Sequence, residues 1–138
     1  MSRRFMLDTD TCSFLIRGGG ERLQSQVRSH AGSLCVSAVT AAELRYGALK
    51  KGSSRIVESV AFLLDLLPAV PWGGSAPERY AEIRVALEAA GTPIGHMDML
   101  IAASALAEDC VVVSHNMAHF TRVPGLVVED WSSPQKIF

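Results

Sequence analysis

Residues 5–12 read Phe5-Met6-Leu7-Asp8-Thr9-Asp10-Thr11-Cys12, so an acid follows directly on three apolar residues and a second acid stands two positions later. The run RFMLD (4–8) has the pattern of a short buried strand, which puts Asp8 at the strand tip. A carboxylate in such a place costs free energy unless its charge is compensated or hydrogen-bonded. Three further β-rich runs, SLCVS (33–37), VVVS (111–114) and LVVED (126–130), have the same look, and AVPW (69–72) reads as a shorter one. Helical patterns lie between them: TCSFLIRG up to Gly18, the amphipathic ERLQSQVRSH (21–30), TAAELRYGALKK (40–51), SSRIVESVAFLLDLL (53–67), SAPERYAEIRVALEAAG (75–91) and GHMDMLIAASALAEDC (95–110). In the fourth of these, Ile56, Val60, Leu63, Leu64 and Leu67 share a face; in the fifth, Tyr80, Ile83 and Leu87 do. Strands alternating with helices imply an α/β fold, a parallel sheet covered on both faces. Functional groups in such folds gather beyond the carboxyl ends of the strands.

The bulk composition narrows the classes. The chain has 138 residues, 49% hydrophobic and 20% charged, which predicts a single globular domain over 1–138. No segment reads as membrane-spanning, since the greasiest run, VAFLLDLLPAV (60–70), is cut by Asp65 and Pro68. Arg3 and Arg4 are followed by too few apolar residues for a signal peptide. Cys12, Cys35 and Cys110 are odd in number and lack a CxxC pair, as expected of reduced thiols in a cytoplasmic protein. The net charge of −1 does not advertise a nucleic-acid binder, yet residues 1–60 carry nine Lys/Arg against five Asp/Glu. That basic half is either a phosphate-attracting face or uneven surface decoration.

Asp8 ends the first strand, Glu43 lies early in the helix after the second, Asp98 opens the IAASALA helix, and Asn116 comes two residues past VVVS. All four fall at strand ends or helix starts on one edge of the expected sheet. Carboxylates converging there repel unless they share a proton or a cation. Oxygen donors of this kind suit Mg²⁺ or Mn²⁺. Each acid also has a local role on offer. Thr40-Ala-Ala-Glu43 fits a capping box, Asp98 suits a helix first turn, and Asp10 or Thr11 fits the cap of the short helix that follows. Asp8 has no such role in view. His115 and His119 lack the Glu of a HExxH zinc motif, and Ser37 and Ser114 lie outside any GxSxG.

The motifs MLDTD (6–10), VSAVTAAELRYGA (36–48), GTPIGHMDMLIAASA (91–105) and VVSHNMAHFTRVPGLVVEDW (112–131) resemble those of PIN-domain ribonucleases, and among them the VapC toxins of type II toxin–antitoxin modules. The resemblance implies an α/β/α sandwich with a central, mostly parallel sheet of four or five strands. It makes Asp8 and Asp98 the principal metal ligands, Glu43 the completing acid, and Asn116 the fourth position, where PIN domains often have Asp. It implies Mg²⁺-dependent (or Mn²⁺-dependent) hydrolysis of RNA, with tRNA as substrate, in the cytoplasm. It further implies a VapB-type antitoxin whose tail blocks the acidic pocket, and a homodimer within that complex. Arg45, Lys50, Lys51 and Arg55 become candidate phosphate contacts, and the apolar faces of 21–30 and 53–67 candidate antitoxin or dimer contacts. Three alternatives compete. Asp8-Thr9-Asp10 also resembles the DxD of haloacid-dehalogenase-like phosphatases, with Asp8 as nucleophile. That reading needs a catalytic Lys, and only Lys50, Lys51 and Lys136 are present. A receiver-like module holding Mg²⁺ has the same requirement, and an inert PIN fold would only bind RNA or antitoxin.

Overall fold

The structure, a computed structural model, describes residues 3–132; Lys136 lies outside them. The elements run β1 (Phe5–Leu7), α1 (Thr9–Ile16), α2 (Gly20–Ser29), β2 (Leu34–Ser37), α3 (Ala38–Lys51), α4 (Ser54–Leu66), β3 (Ala69–Val70), α5 (Ala76–Ala89), α6 (His96–Ala107), β4 (Val111–Val113), α7 (Met117–Phe120) and β5 (Val128–Glu129). The five strands form one sheet in the order β3-β2-β1-β4-β5. Every pairing is parallel, with Met6 opposite both Cys35 and Val112.

The strand order carries the functional consequence. From β1 the chain moves outward through β2 to β3, then returns to lay β4 against the other side of β1. The crossovers on the two sides of β1 therefore diverge, leaving a crevice beyond the carboxyl ends of β1 and β4. Asp8 and Ser114 are the residues that immediately follow these two strands.

Side-chain alternation along β1 divides the core into two layers. Met6 belongs to a cluster with Cys35, Val112, Ile101 and Ala102, under α5 and α6, whereas Leu7 packs with Val36, Val113, Leu44 and Leu63 under α3 and α4. Ala102, Ala103 and Ala105 are fully buried, so the small residues of α6 let its backbone approach the sheet closely. On α4, Val60, Leu63 and Leu67 are buried as their spacing predicts, and Ile56 and Leu64 pack at the edge of the same cluster. The three cysteines are free and buried. Among the described residues no helix is long and apolar enough to cross a membrane.

Several boundaries differ from the sequence expectation. α1 begins at Thr9, not Thr11, and α3 at Ala38, not Thr40, because the last polar residue at each strand end doubles as the cap of the next helix. Ser37 accepts a hydrogen bond from the Val39 amide at 3.2 Å, so Thr40 lies inside the helix and the expected Thr40/Glu43 capping box does not form. β3 and β5 shrink to two residues each. Gly18, Gly19 and Gly20 adopt φ of 115°, 73° and 72°, three consecutive left-handed residues that only glycine tolerates cheaply, and these turn the chain from α1 into α2.

Candidate active site

Asp8 is 3% exposed, and both of its carboxylate oxygens are engaged. Oδ1 accepts the backbone N–H of Thr11 at 2.9 Å, and Oδ2 accepts the hydroxyl of Ser114 at 2.7 Å. The residue that lacked a local role in the sequence is thus the N-cap of α1, and Asp10, the residue expected there, is exposed in the first turn. Capping does not settle the cost of the charge. Burial raises the Asp8 carboxyl above its ordinary value and Asp10 adds repulsion; the bonds from Thr11 and Ser114 only partly oppose this. A carboxylate held in this state is one that an added cation would stabilise.

Two hydrogen-bonded arms extend from this centre. Thr9, next to Asp8, donates its hydroxyl to Glu43 Oε1 at 2.7 Å and lies 3.2 Å from the Thr40 hydroxyl. Glu43 is therefore aimed back towards the carboxyl end of β1 and not at its own helix start. On the other side, Ser114 Oγ accepts the backbone N–H of Asn116 at 2.8 Å. The Asn116 amide nitrogen lies 2.8 Å from His119 Nδ1, which is 3.3 Å from Asp98 Oδ2. Nδ1 serves one neighbour at a time: unprotonated it accepts from the Asn116 amide, and protonated it donates to Asp98. Asp98 sits in the first turn of α6 with 27% of its side chain exposed, the more open of the two aspartates.

Asp8 is thus linked through Ser114 to Asn116, His119 meets either Asn116 or Asp98, and Glu43 bonds Thr9, the chain neighbour of Asp8. Among the described residues no three His, Cys, Asp or Glu side chains converge tightly enough to form a preformed metal cage. A hard cation such as Mg²⁺ keeps several waters and takes only one or two protein carboxylates, so it does not require such a cage. The donors available on Asp8, Asp98, Glu43 and Asn116 are all oxygens, as such an ion requires.

Thr9, Ser114 and His119 are neighbours of these residues that the sequence reading did not assign to the site: Thr9 went unremarked, and Ser114 and His119 were weighed only against the serine-hydrolase and zinc motifs. Ser114 was legible in principle, because it occupies the same position after VVV that Asp8 occupies after FML, and parallel pairing of these runs sets the two side by side. His119 was not, since its link to Asp98 spans 21 positions and depends on α7 turning back over α6.

A model of the PIN domain matches residues 5–126. The tRNA(fMet)-specific endonuclease VapC of Salmonella typhimurium is 35% identical over 93% of this chain and 98% of the relative. Ribonuclease VapC2 of Rickettsia felis is 31% identical over 92% and 97%. This chain is a PIN-domain protein of the VapC ribonuclease family. Solved VapC-containing complexes share the architecture. The VapBC2 complex of Rickettsia felis on a promoter DNA fragment superposes with a TM-score of 0.86 at 30% identity over 92% of this chain and 98% of that one. The DNA-bound VapBC of Salmonella typhimurium gives 0.84 at 34% over 94% and 99%. The all-parallel five-stranded sheet is the PIN arrangement, and VapC membership sets aside the phosphatase and receiver alternatives. PIN nucleases are typically metal-dependent, in keeping with the carboxylate oxygens of Asp8, Glu43 and Asp98.

The raised Asp8 carboxyl predicts a pH-dependent stability. The folded state binds this proton more tightly than the unfolded chain, so the contribution of Asp8 is fully favourable below the unfolded value, about pH 4, and is lost as pH rises through the folded value. Asp8→Asn keeps the cap and removes the charge. In EDTA its Tm should exceed that of wild type at pH 7, with the gap closing towards pH 4; a variant less stable than wild type across that range contradicts the assignment.

Proposed function

We propose that this VapC protein is a toxin that hydrolyses phosphodiester bonds in tRNA, using a Mg²⁺ or Mn²⁺ ion held by Asp8 and Asp98. The observation that carries this reading is the desolvated Asp8 carboxylate at the β1/β4 crevice, linked through Ser114 to Asn116, with His119 between Asn116 and Asp98. A cation bound there supplies charge neutralisation on the phosphate oxygens and a lowered pKa for an attacking water. Thr11 and Ser114 fix the Asp8 carboxylate so that it presents its oxygens without reorienting. Glu43, bonded by Thr9, would either hold the ion through a water or accept the proton of the attacking water. With its Nδ1 protonated, His119 would hold Asp98 in position.

The approach to the site supports an RNA substrate. A groove of about 290 Å³ runs along α1 and α3 from Thr9 and Glu43 to Arg17 and Lys51, so positive charge lies at its far end, where a phosphate backbone leaving the site would pass. Lys51 was among the residues expected for this role, whereas Arg17 was not. Relatives from two organisms are named tRNA(fMet)-specific, which makes initiator tRNA the substrate to test first.

The antitoxin has a distinct docking place in this reading. Leu15, Ile16, Val27, Phe62 and Leu66 line a second groove of about 450 Å³ between α1, α2 and α4. Phe62 and Leu66 are 67% and 55% exposed, unusual for large apolar side chains, while the opposite face of α4 is core. An amphipathic helix of a VapB-type partner would cover them, and both solved complexes cited above pair VapC with VapB.

Two outcomes follow. Antitoxin-free wild type should cleave tRNA in Mg²⁺ and not in EDTA, with Ser114→Ala slower by about 10–100-fold and Asp8→Asn slower still. Full activity in Asp8→Asn would sink the proposal. Phe62→Glu should leave Tm within a few degrees of wild type yet abolish co-purification with the antitoxin. Unfolding of that variant would show instead that the groove is core.

A further inference from the structure

A third cavity, of about 350 Å³, opens on the other side of α1, between that helix and the segments that follow β4 and β5. Phe14, Arg17, His115, Asp130, Trp131 and Ser132 line it. Its size is at the small end of the range for ligand sites, enough for one nucleotide but not for a duplex. It adjoins the carboxylate centre through both hydrogen-bond donors of Asp8: Thr11 is part of its wall, and Ser114 is the chain neighbour of His115.

The lining is organised around Asp130. Its Oδ1 accepts the Ser132 backbone N–H at 2.9 Å and the Ser132 hydroxyl at 2.7 Å. Its Oδ2 lies 3.0 Å from His115 Nδ1, which is also 2.9 Å from Ser132 Oγ. Because Ser132 gives its proton to Asp130, Nδ1 must be the donor to Oδ2. Serine, histidine and aspartate are together here, but serine and aspartate meet the same ring nitrogen. A hydrolytic relay needs them on opposite nitrogens, so the group is not nucleophilic machinery. It is a carboxylate locked in orientation. Trp131, 2% exposed, is fixed from behind by stacking on His30 at 4.7 Å and by Phe5 at 5.1 Å. Phe14 is 38% exposed on the facing helix, and Arg17 stands one turn further along α1.

An exposed aromatic ring, a guanidinium and an oriented carboxylate are the groups that read an unpaired base, by stacking on its face and bonding to its edge. We propose that this cavity receives the nucleobase next to the scissile phosphate, and that Phe14 and Asp130 thereby set where the RNA is cut. The proposal rests on the ribonuclease reading above. Asp130 accepts and does not donate, which favours a base bearing an exocyclic amino group, such as cytosine. Uracil offers one N–H flanked by two carbonyl oxygens, and these would face the carboxylate unfavourably. Arg17, which also lines the groove leading to Glu43, bridges the two regions and would hold a neighbouring phosphate of the strand, not the scissile one.

The test separates this from the nuclease reading by measuring binding without cleavage. ¹⁵N-labelled wild type in EDTA is titrated with cytidine 5′-monophosphate and with uridine 5′-monophosphate, which share a phosphate and differ in the base. Cytidine monophosphate should shift the Trp131 indole and the amides of residues 10–17 and 115, with uridine monophosphate weaker by about 5-fold or more. Phe14→Ala should weaken the former by about 10-fold, and Asp130→Asn should erase the preference. In the tRNA assay Phe14→Ala should raise KM and scatter the cut sites. Equal response to both nucleotides, shifts confined to α6 and α7, or an unchanged cut pattern in Phe14→Ala would each overturn the base pocket while leaving metal-dependent cleavage standing. Loss of cleavage from wild type with nucleotide binding intact would do the reverse.

Discussion

The structure turns on a carboxylate buried at the end of the central strand. Asp8 follows the central strand, caps the first helix and accepts a hydrogen bond from the Ser114 hydroxyl at the neighbouring strand's end, yet burial still raises its carboxyl above its ordinary value. Two neutral donors satisfy its geometry without cancelling its charge. The surrounding elements make sense as consequences. The parallel sheet brings Ser114 alongside, the strand order opens the crevice, and α3 and α6 bring Glu43 and Asp98 to its rim. A fold selected for stability alone would place an Asn or Ser at that cap, where either serves as well.

Two faces of α1 then divide the labour around that centre. One borders the groove that runs past Glu43 to Lys51, and the other borders the cavity of Phe14 and Asp130. Arg17 belongs to both. The short helix that Asp8 caps is therefore also the element against which a strand of RNA would be laid out, with the scissile phosphate near its N-terminus and positive charge at its far end. Rigidity at the cap and breadth along the helix come from the same eight residues.

Much of this was legible in the sequence because it is local. Strand runs, the alternation of strand and helix, and the buried face of α4 follow from periodicity, and the parallel sheet follows from the alternation. The acids Asp8, Glu43 and Asp98 stood out as charges at the ends of apolar runs. What escaped was whatever depends on two distant segments meeting. Thr9 reaches Glu43 across 34 positions and Ser114 reaches Asp8 across 106; nothing in the local pattern marks Thr9, and Ser114 is marked only by its place at the end of a parallel neighbour of β1. The misplaced helix starts have a related cause. Capping statistics name suitable residues but not which will be used, and here strand geometry handed the caps to Asp8 and Ser37, the residues at which the strands end.

The account stands or falls on the ionisation of Asp8. Its side-chain carbon can be followed by ¹³C NMR across a pH titration, assigned by comparison with Asp8→Asn, first in EDTA and then with Mg²⁺. The account predicts a midpoint clearly above the ordinary aspartate value of about 3.9 without metal, falling when Mg²⁺ is added. An ordinary midpoint that Mg²⁺ leaves unmoved would contradict it, and Asp8 would then be a helix cap and no more.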